Sequence, residues 1–337
     1  MERLPATATL LAADIGGTKS ELAVFPLESP GANSLFQRRY LNTGYVNVEE
    51  IIERFLAECD HLPGFASIAV AGVVSEERAR LTNLPWDIDA RRLEQRFGLE
   101  RVLLLNDLTA VAGSIARLGP HDLLEIQAGS DLRGDIRGII APGTGLGEGF
   151  LLETSGKMYA QGSEGGHTDF APVNDEQQEL LTWMRRRRSP VSYEMLVAGP
   201  GLANLYEFCR EYHHIPESKM IAEAMNQVED KIPIIVGGAV GKKKCLLCSK
   251  AVELFLSILG SEAGNLALKL YARGGMYLGG GILPRLTGKV SFAGFLEGFN
   301  SKGVMSDLMR EIPVHMILRA DAALFGAACL GLSELQG

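Results

Sequence analysis

The chain has 337 residues, 46% hydrophobic and 22% charged, a balance that excludes a small single module and a disordered chain and suits about two domains. Forty-one acidic against 33 basic residues give a net charge of −8 and a pI near 5.4, so no global positive field attracts nucleic acid or an anionic membrane surface, and neither is expected as a partner. Five cysteines, at 59, 209, 245, 248 and 329, make a poor disulfide framework and read as reduced thiols of a cytoplasmic protein.

The apolar start, Met1 to Ala13, ends at Asp14 and has neither the length of a membrane span nor the flanks of a cleaved signal. Thr9 to Ala13, the pair Gly16-Gly17 and the alternating Ser20 to Phe25 predict a hairpin with a glycine turn. Val48 to Cys59 has helical spacing, with Ile51, Ile52, Phe55 and Leu56 on one face and acids on the other. Ser67 to Val74 predicts a buried strand, Arg91 to Phe97 a short helix, and Val102 to Leu105 a strand ending at Asn106-Asp107.

The second half opens in the same way, with an apolar strand Arg137 to Ala141, a turn at Gly143, Gly145 and Gly147, and a returning strand Gly149 to Leu152. Helical patterns follow at Asp175–Arg188, Pro200–Tyr212 and Cys245–Tyr271, the last with charges too frequent for a membrane helix. Pro233 to Lys244 reads as a solvated loop. Met276-Tyr277 leads into Gly279-Gly280-Gly281, Ile312 to Leu318 predicts a strand, and a small-residue helix starts at Asp321. Two halves with the same opening suggest duplicated α/β domains with ligand between them. The final helix would cross back to the first domain and serve as a hinge.

Thirty-nine glycines stand well above the ordinary ~7%, and they cluster after apolar runs. Asp14-Ile15-Gly16-Gly17-Thr18-Lys19 can offer backbone N–H groups and the Thr18 hydroxyl to an anion, and the Asp14 carboxylate to Mg²⁺. Gly143-Thr144-Gly145-Leu146-Gly147 has the same design. One such turn is an ordinary hairpin; two at equivalent places and a third at Gly279 weaken that plain alternative. Gly241-Lys242 is not a Walker loop, because Val236 and Lys243 stand where Gly and Ser or Thr are required. No G-x-G-x-x-G fingerprint follows a strand, since Glu148 or Phe150 falls on the third glycine.

Asp14 to Lys19, Asn106-Asp107, Gly143 to Gly147, Glu164-Gly165-Gly166-His167, Glu194 with Ala198-Gly199-Pro200-Gly201-Leu202, and Gly279 to Ile282 together resemble bacterial glucokinases of the type without the zinc cysteine motif. The resemblance runs from about Leu10 to the C-terminal helix. It implies the actin-like, ribonuclease H-like duplication of the sugar kinases and Hsp70 ATPases, with an interdomain cleft: residues 1–117 plus 318–337 as a small α/β domain and 118–317 as a large one. It implies phosphorylation of the 6-hydroxyl of glucose by ATP and Mg²⁺, in a homodimer. Asp107 would be the general base. Asn83, Asn106, Asp107, Glu164, His167 and Glu194 would contact the sugar. Asp14, Gly16, Gly17, Thr18, Lys19, Gly143, Thr144, Gly145, Gly279 and Gly280 would hold the nucleotide, and Asp14 the Mg²⁺, directly or through water.

Elementary chemistry supports these roles. A carboxylate at the end of a buried strand sits where α/β clefts hold ligands and can accept a hydroxyl proton during phosphoryl transfer. The plain alternative for Asp107 is a helix N-cap. Carboxylates beside an imidazole suit a ligand with several hydroxyls. Lys19, where Asn is frequent in the family, and Glu148 after the second glycine turn depart from the pattern near the phosphate sites.

Other readings are weaker. Cys245 and Cys248 with Cys209 and His213 lack the close second motif of a structural zinc site and read as buried apolar thiols at helix ends. Arg185 to Arg188 wrap around a helix as a solvated face. No helix-turn-helix precedes residue 9, which argues against a repressor. A kinase for another hexose or hexosamine and a non-catalytic sugar sensor stand as alternatives; retention of Asp14 and Asp107 argues against the sensor.

Overall fold

The computed structural model describes residues 9–27, 33–75, 77–130 and 134–336. The chain divides into two compact units, one formed by Met1–Asp122, Gly149–Gly162 and Arg319–Gly337, the other by Leu123–Glu148 and Ser163–Leu318. The excursion Gly149–Gly162 and the final helix are thus grouped with the N-terminal segment.

In chain order the first elements are β1 (Thr9–Ile15), β2 (Lys19–Pro26), β3 (Phe36–Leu41), α1 (Val48–Glu58), β4 (Phe65–Val70), β5 (Gly72–Ser75), β6 (Arg78–Leu81), β7 (Asp87–Asp89), α2 (Ala90–Phe97), β8 (Arg101–Asn106) and α3 (Asp107–Ser114). The main sheet has the order β3-β2-β1-β4-β8. Strands β1, β4 and β8 run parallel, and β2 is antiparallel to both of its neighbours, β1 and β3. Strand β1 is apolar from Leu10 to Ala13 because both of its faces are covered. Leu11, Ala13 and Ile15 join the core of Ile51, Ile52 and Phe55 from α1. Leu10 and Ala12 join the core of Leu324, Phe325 and Ala328. The expected continuous strand Ser67–Val74 is two strands, since β5 leaves the main sheet to form a three-stranded antiparallel sheet with β6 and β7. A side chain at Gly72 would strike the Arg80 carbonyl, so the strands can approach there only with glycine.

The remaining elements are β9 (Leu123–Gln127), β10 (Ile136–Pro142), β11 (Leu146–Thr154), β12 (Lys157–Ser163), α4 (Asp175–Arg185), α5 (Glu194–Val197), α6 (Gly199–Tyr212), α7 (Lys219–Asn226), α8 (Ile232–Val240), α9 (Leu246–Leu270), β13 (Met276–Leu278), α10 (Leu283–Leu286), α11 (Ala293–Asn300), α12 (Ser306–Glu311), β14 (Val314–Ile317) and α13 (Ala322–Gln336). The second sheet has the order β12-β11-β10-β13-β14-β9. Its first five strands repeat the order of the first sheet, which is the duplication the paired openings imply; β9 adds an antiparallel edge. Helix α13 packs on α3 and β1.

Two further local readings need correction. Pro233 to Lys244 is not a loop over its first part, because Ile232–Val240 is helical, with Pro233 in the first turn and Ile235, Val236 and Ala239 buried; proline is well placed at a helix start, and the glycines misdirected the reading. The acids of α1 do not all face solvent: Glu49 is buried and pairs with Arg92 at 2.6 Å. The arginine run is exposed, as expected, at the C-terminal end of α4, with Arg187 3.5 Å over the Trp183 ring and paired with Glu211.

Helix α9 is the one described helix long and apolar enough to cross a membrane, yet 78% of its most apolar window is buried inside the protein. It packs against α6, α8 and α11. Cys209 and Cys248 are buried in the same core, which keeps their thiols protonated: burial pushes Cys209 up to about 12.

Candidate active site

Strand period and register assemble the site residues of the first unit. Ile15 of β1 pairs with Val70 of β4, and Val70 with Asn106 of β8, so the carboxyl ends of three parallel strands lie level. Asp14 shares the β1 face of Leu10 and Ala12, the face on which α3 and α13 pack. Asp107 is the first residue of α3 and repels the Asp14 carboxylate. Burial first, then the charges of Asp107 and Glu21, lift Asp14 to about 6, with Lys19 opposing. Burial also raises Asp107, and the hydrogen bond from Leu108 N–H to its carboxylate partly offsets this.

The capping question resolves in favour of the neighbour. Asn106 is the N-cap of α3: its Oδ1 accepts from Leu108 N–H at 3.0 Å, and its Nδ2 donates to the Gly72 carbonyl at 3.1 Å. Asp107 also accepts from Leu108 N–H, at 2.8 Å, but it is not needed as the cap. The Asn106 side chain also hydrogen-bonds the Asp107 carboxylate, so the two neighbours orient each other at the start of α3.

The first glycine turn closes through Gly16 N–H to the Lys19 carbonyl at 3.0 Å. Thr18 and Lys19 are exposed, and Asn83, also exposed, lies against Gly17, where an added Cβ would come 3.2 Å from the Asn83 Cβ. Sequence reasoning missed Asn42. It is 2% exposed, donates to the Gly16 carbonyl at 2.8 Å and accepts from Ser20 Oγ at 2.8 Å. Its place next to an exposed strand gives no local pattern that marks it.

In the second unit, the turns at Gly143 and Gly279 follow β10 and β13, which are adjacent parallel strands. The first closes through Gly143 N–H to the Gly145 carbonyl at 2.8 Å, and Gly199 N–H ties the start of α6 to the Gly143 carbonyl at 2.8 Å. Gly280 has φ +83° and backs onto the Pro142 carbonyl, so both its conformation and its contact require glycine. Thr144 is exposed at the tip of its turn.

Glu164, His167 and Glu194 come together. The His167 ring nitrogens lie 3.7 Å from Glu164 Oε2 and 3.8 Å from Glu194 Oε1, near but beyond hydrogen-bond length. Glu194 begins α5 and accepts from Leu146 N–H through Oε2 at 3.0 Å. A Cβ on Gly145 would stand 2.6 Å from that same oxygen. The second glycine turn therefore seats the Glu194 carboxylate, a contact that the assignment of the turn to the nucleotide does not anticipate.

Two carboxylates that repel each other across a half-buried space suit a hard dication, and Mg²⁺ ordinarily takes one or two carboxylates and completes its shell with water and phosphate oxygens. Asp14 and Asp107 fit that requirement. Among the described residues no group of three or more His, Cys, Asp or Glu forms a protein-only metal site.

The glucokinase family model matches residues 11–333. The glucokinase of Nostoc punctiforme is 37% identical over 332 residues, spanning 95% of this chain and 97% of its own. Among solved structures, a glucokinase from an Antarctic psychrotroph aligns with a TM-score of 0.82 at 29% identity, over 96% of this chain and 98% of that one. A ROK family glucokinase from Streptomyces griseus, solved in complex with glucose and AMPPNP, shares the fold at 20% identity and a TM-score of 0.61, over 98% of this chain and 100% of its own. With a family model covering nearly its whole length and relatives matched end to end, this chain belongs to the glucokinase family.

Proposed function

We propose that the protein transfers the γ-phosphoryl group of ATP to the 6-hydroxyl of glucose, with Asp107 as general base. The observation that carries the role of Asp107 is its place: it follows the N-cap Asn106 at the carboxyl end of β8, held by Leu108 N–H, with its charge reaching Asp14. Helix α3 also favours a negative group in its first turn, which opposes the upward push of burial on that carboxylate. A base there contributes about 10² to 10⁴ in rate by taking the hydroxyl proton as the phosphoryl group departs.

Glu194 Oε1, Glu164 and His167 supply acceptors and a donor for the other sugar hydroxyls, with Asn83 and Asn106 as further contacts. Glu194 is fixed by its bond to Leu146 N–H, so it presents one oxygen in a set direction at little entropic cost. The turns at Gly16, Gly17, Thr18 and Lys19, at Gly143, Thr144 and Gly145, and at Gly279 and Gly280 hold the nucleotide through backbone N–H groups and hydroxyls. Asp14 would hold Mg²⁺, directly or through water, and the ion when bound would neutralise phosphate charge.

The same reading places the protein in the cytoplasm, consistent with five free cysteines, and as a homodimer, which light scattering of the purified chain decides. A coupled assay of ADP release with glucose, mannose, fructose and glucosamine tests the substrate. Glucose is expected to give the highest kcat/KM; preference for another hexose would reassign the sugar, and no turnover with any would refute the activity.

A further inference from the structure

The loop that carries Glu164 and His167 rests on a carboxyl group that has no part in the proposed reaction. Glu148 is 1% exposed. Its Oε2 occupies the space that a side chain at Gly165 would need, and its Oε1 is buried without a hydrogen-bond partner. The backbone of the same residue anchors the loop again: Ser163 Oγ donates to the Glu148 carbonyl at 3.3 Å, and Gly165 N–H donates to Ser163 Oγ at 3.3 Å. Glu148 thus supports the loop at two points, once through each of its oxygen-bearing groups.

The charged surroundings are known on each side. Helix α9 contributes Glu262, fully buried, and Lys269, whose ammonium lies 3.5 Å from Glu262 Oε1. Asn265 Nδ2 donates to Glu262 Oε2 at 2.9 Å and to the Tyr193 hydroxyl at 3.2 Å, so Tyr193, the residue before Glu194, belongs to the same buried network. Lys302 donates to Asn265 Oδ1 and to the Ser261 carbonyl, each at 2.8 Å. On the loop side stand Glu164 and His167, with Glu194 beyond the imidazole. Lys269, the ammonium whose charge acts on Glu148, is therefore engaged with the other buried carboxylate. Burial, then the charge of Glu262, push Glu148 up to about 7, and Lys269 offsets them only in part.

A neutral carboxyl can lie under the loop without a counter-ion. An ionised one would carry its charge with Oε1 buried and unpartnered, at a high desolvation cost. We infer that Glu148 is a positioning residue for the sugar-side loop: its neutral carboxyl holds Glu164 and His167 in the glucose-binding arrangement, and its ionisation loosens that arrangement. This rests on the assignment of Glu164 and His167 to the sugar. It makes glucose affinity depend on pH through a residue that never touches glucose.

The test compares the full-length protein with Glu148→Gln, which mimics the neutral carboxyl, and Glu148→Ala, which removes the support. Glucose affinity is measured by calorimetry at pH ~6 and ~8.5, on either side of the Glu148 titration. The unsubstituted protein is expected to lose about fivefold or more in affinity between the two, in the ordinary range of coupling. Glu148→Gln should keep the acid-side affinity at both, and Glu148→Ala should bind weakly at both. His167 is present in all three proteins, so any contribution from the imidazole is common to the curves. Parallel curves for the unsubstituted protein and Glu148→Gln would overturn the inference while leaving the kinase reading intact. Amide exchange of the Ser163–Thr168 segment at the alkaline pH supplies a readout that needs no sugar: it should be faster in the unsubstituted protein than in Glu148→Gln, and equal rates would overturn the inference even if glucose proved not to be the substrate.

Discussion

Replacing Asp107 by Asn should separate catalysis from folding. The amide keeps an oxygen for Leu108 N–H, and Asn106 still caps α3, so the helix start is preserved. What disappears is the base, with an expected loss in kcat of about 10² to 10⁴, or about 2.7 to 5.4 kcal/mol of transition-state stabilisation. Stability should move the other way. Burial holds Asp107 above the ordinary carboxylate range, so the folded chain binds its proton more tightly than the unfolded chain does. The resulting contribution is fully present at pH below the unfolded value of ~3.9 and is lost as pH rises through the folded value. At neutral pH an uncharged amide escapes that loss and also stops repelling Asp14, whose own pKa should fall from about 6. Steady-state kinetics with saturating glucose and ATP, paired with thermal melts at neutral and acid pH, measure both effects. The Tm of Asp107→Asn should equal or exceed that of the parent at neutral pH, and the advantage should vanish in acid. A kcat within about tenfold of the parent, or a Tm lower by more than the ~2–4 °C that 1 kcal/mol is worth, would refute this reasoning.

Three further substitutions probe separate contacts. Asn42→Ala removes the bonds to the Gly16 carbonyl and Ser20 and should cost about 1–3 kcal/mol, seen in chemical denaturation, while raising KM for ATP more than KM for glucose. Gly145→Ala places a methyl against Glu194 Oε2 and should drive that carboxylate off Leu146 N–H; the loss of a charged hydrogen bond, about 1.5–3 kcal/mol, predicts a glucose KM raised about tenfold or more. If only the ATP KM rises, the turn serves the nucleotide alone. Gly326→Ala drives a methyl into the Ala110 carbonyl where α13 crosses α3, and overpacking of about 1–3 kcal/mol or more should lower Tm, with an unchanged melt contradicting the packing described.

Much of the fold was legible because apolar runs ending in glycine turns are a backbone signal, readable wherever a buried strand must stop abruptly. The repeat of that signal at Gly16 and Gly143 implied the duplicated sheets, and the strand order of the two sheets repeats accordingly. Less legible was the three-stranded sheet of β5, β6 and β7, because the run Ser67–Val74 is apolar across the point where the chain changes sheets at Gly72. Residues 232–240 misled because two glycines and a proline outweighed a helical run of apolar residues. At the site, each catalytic candidate was visible as a motif, whereas the contacts that hold them were not. Asn42 lies 26 residues from the Gly16 carbonyl it binds, and the seat of Glu194 on Leu146 joins residues 48 apart. Glu262 showed only as a charge arguing against a membrane helix, and it is a fully buried member of the network around Glu148.

The central claim is that Asp107 takes the proton from the 6-hydroxyl of glucose during transfer from ATP. Phosphorus NMR of glucose, ATP and Mg²⁺ incubated with the parent protein and with Asp107→Asn tests it directly. The parent should convert glucose to its 6-phosphate, with ADP in equal amount, and Asp107→Asn should yield the same product at about a hundredth of the rate or less. A phosphate ester at another hydroxyl, or equal rates from the two proteins, would contradict the claim.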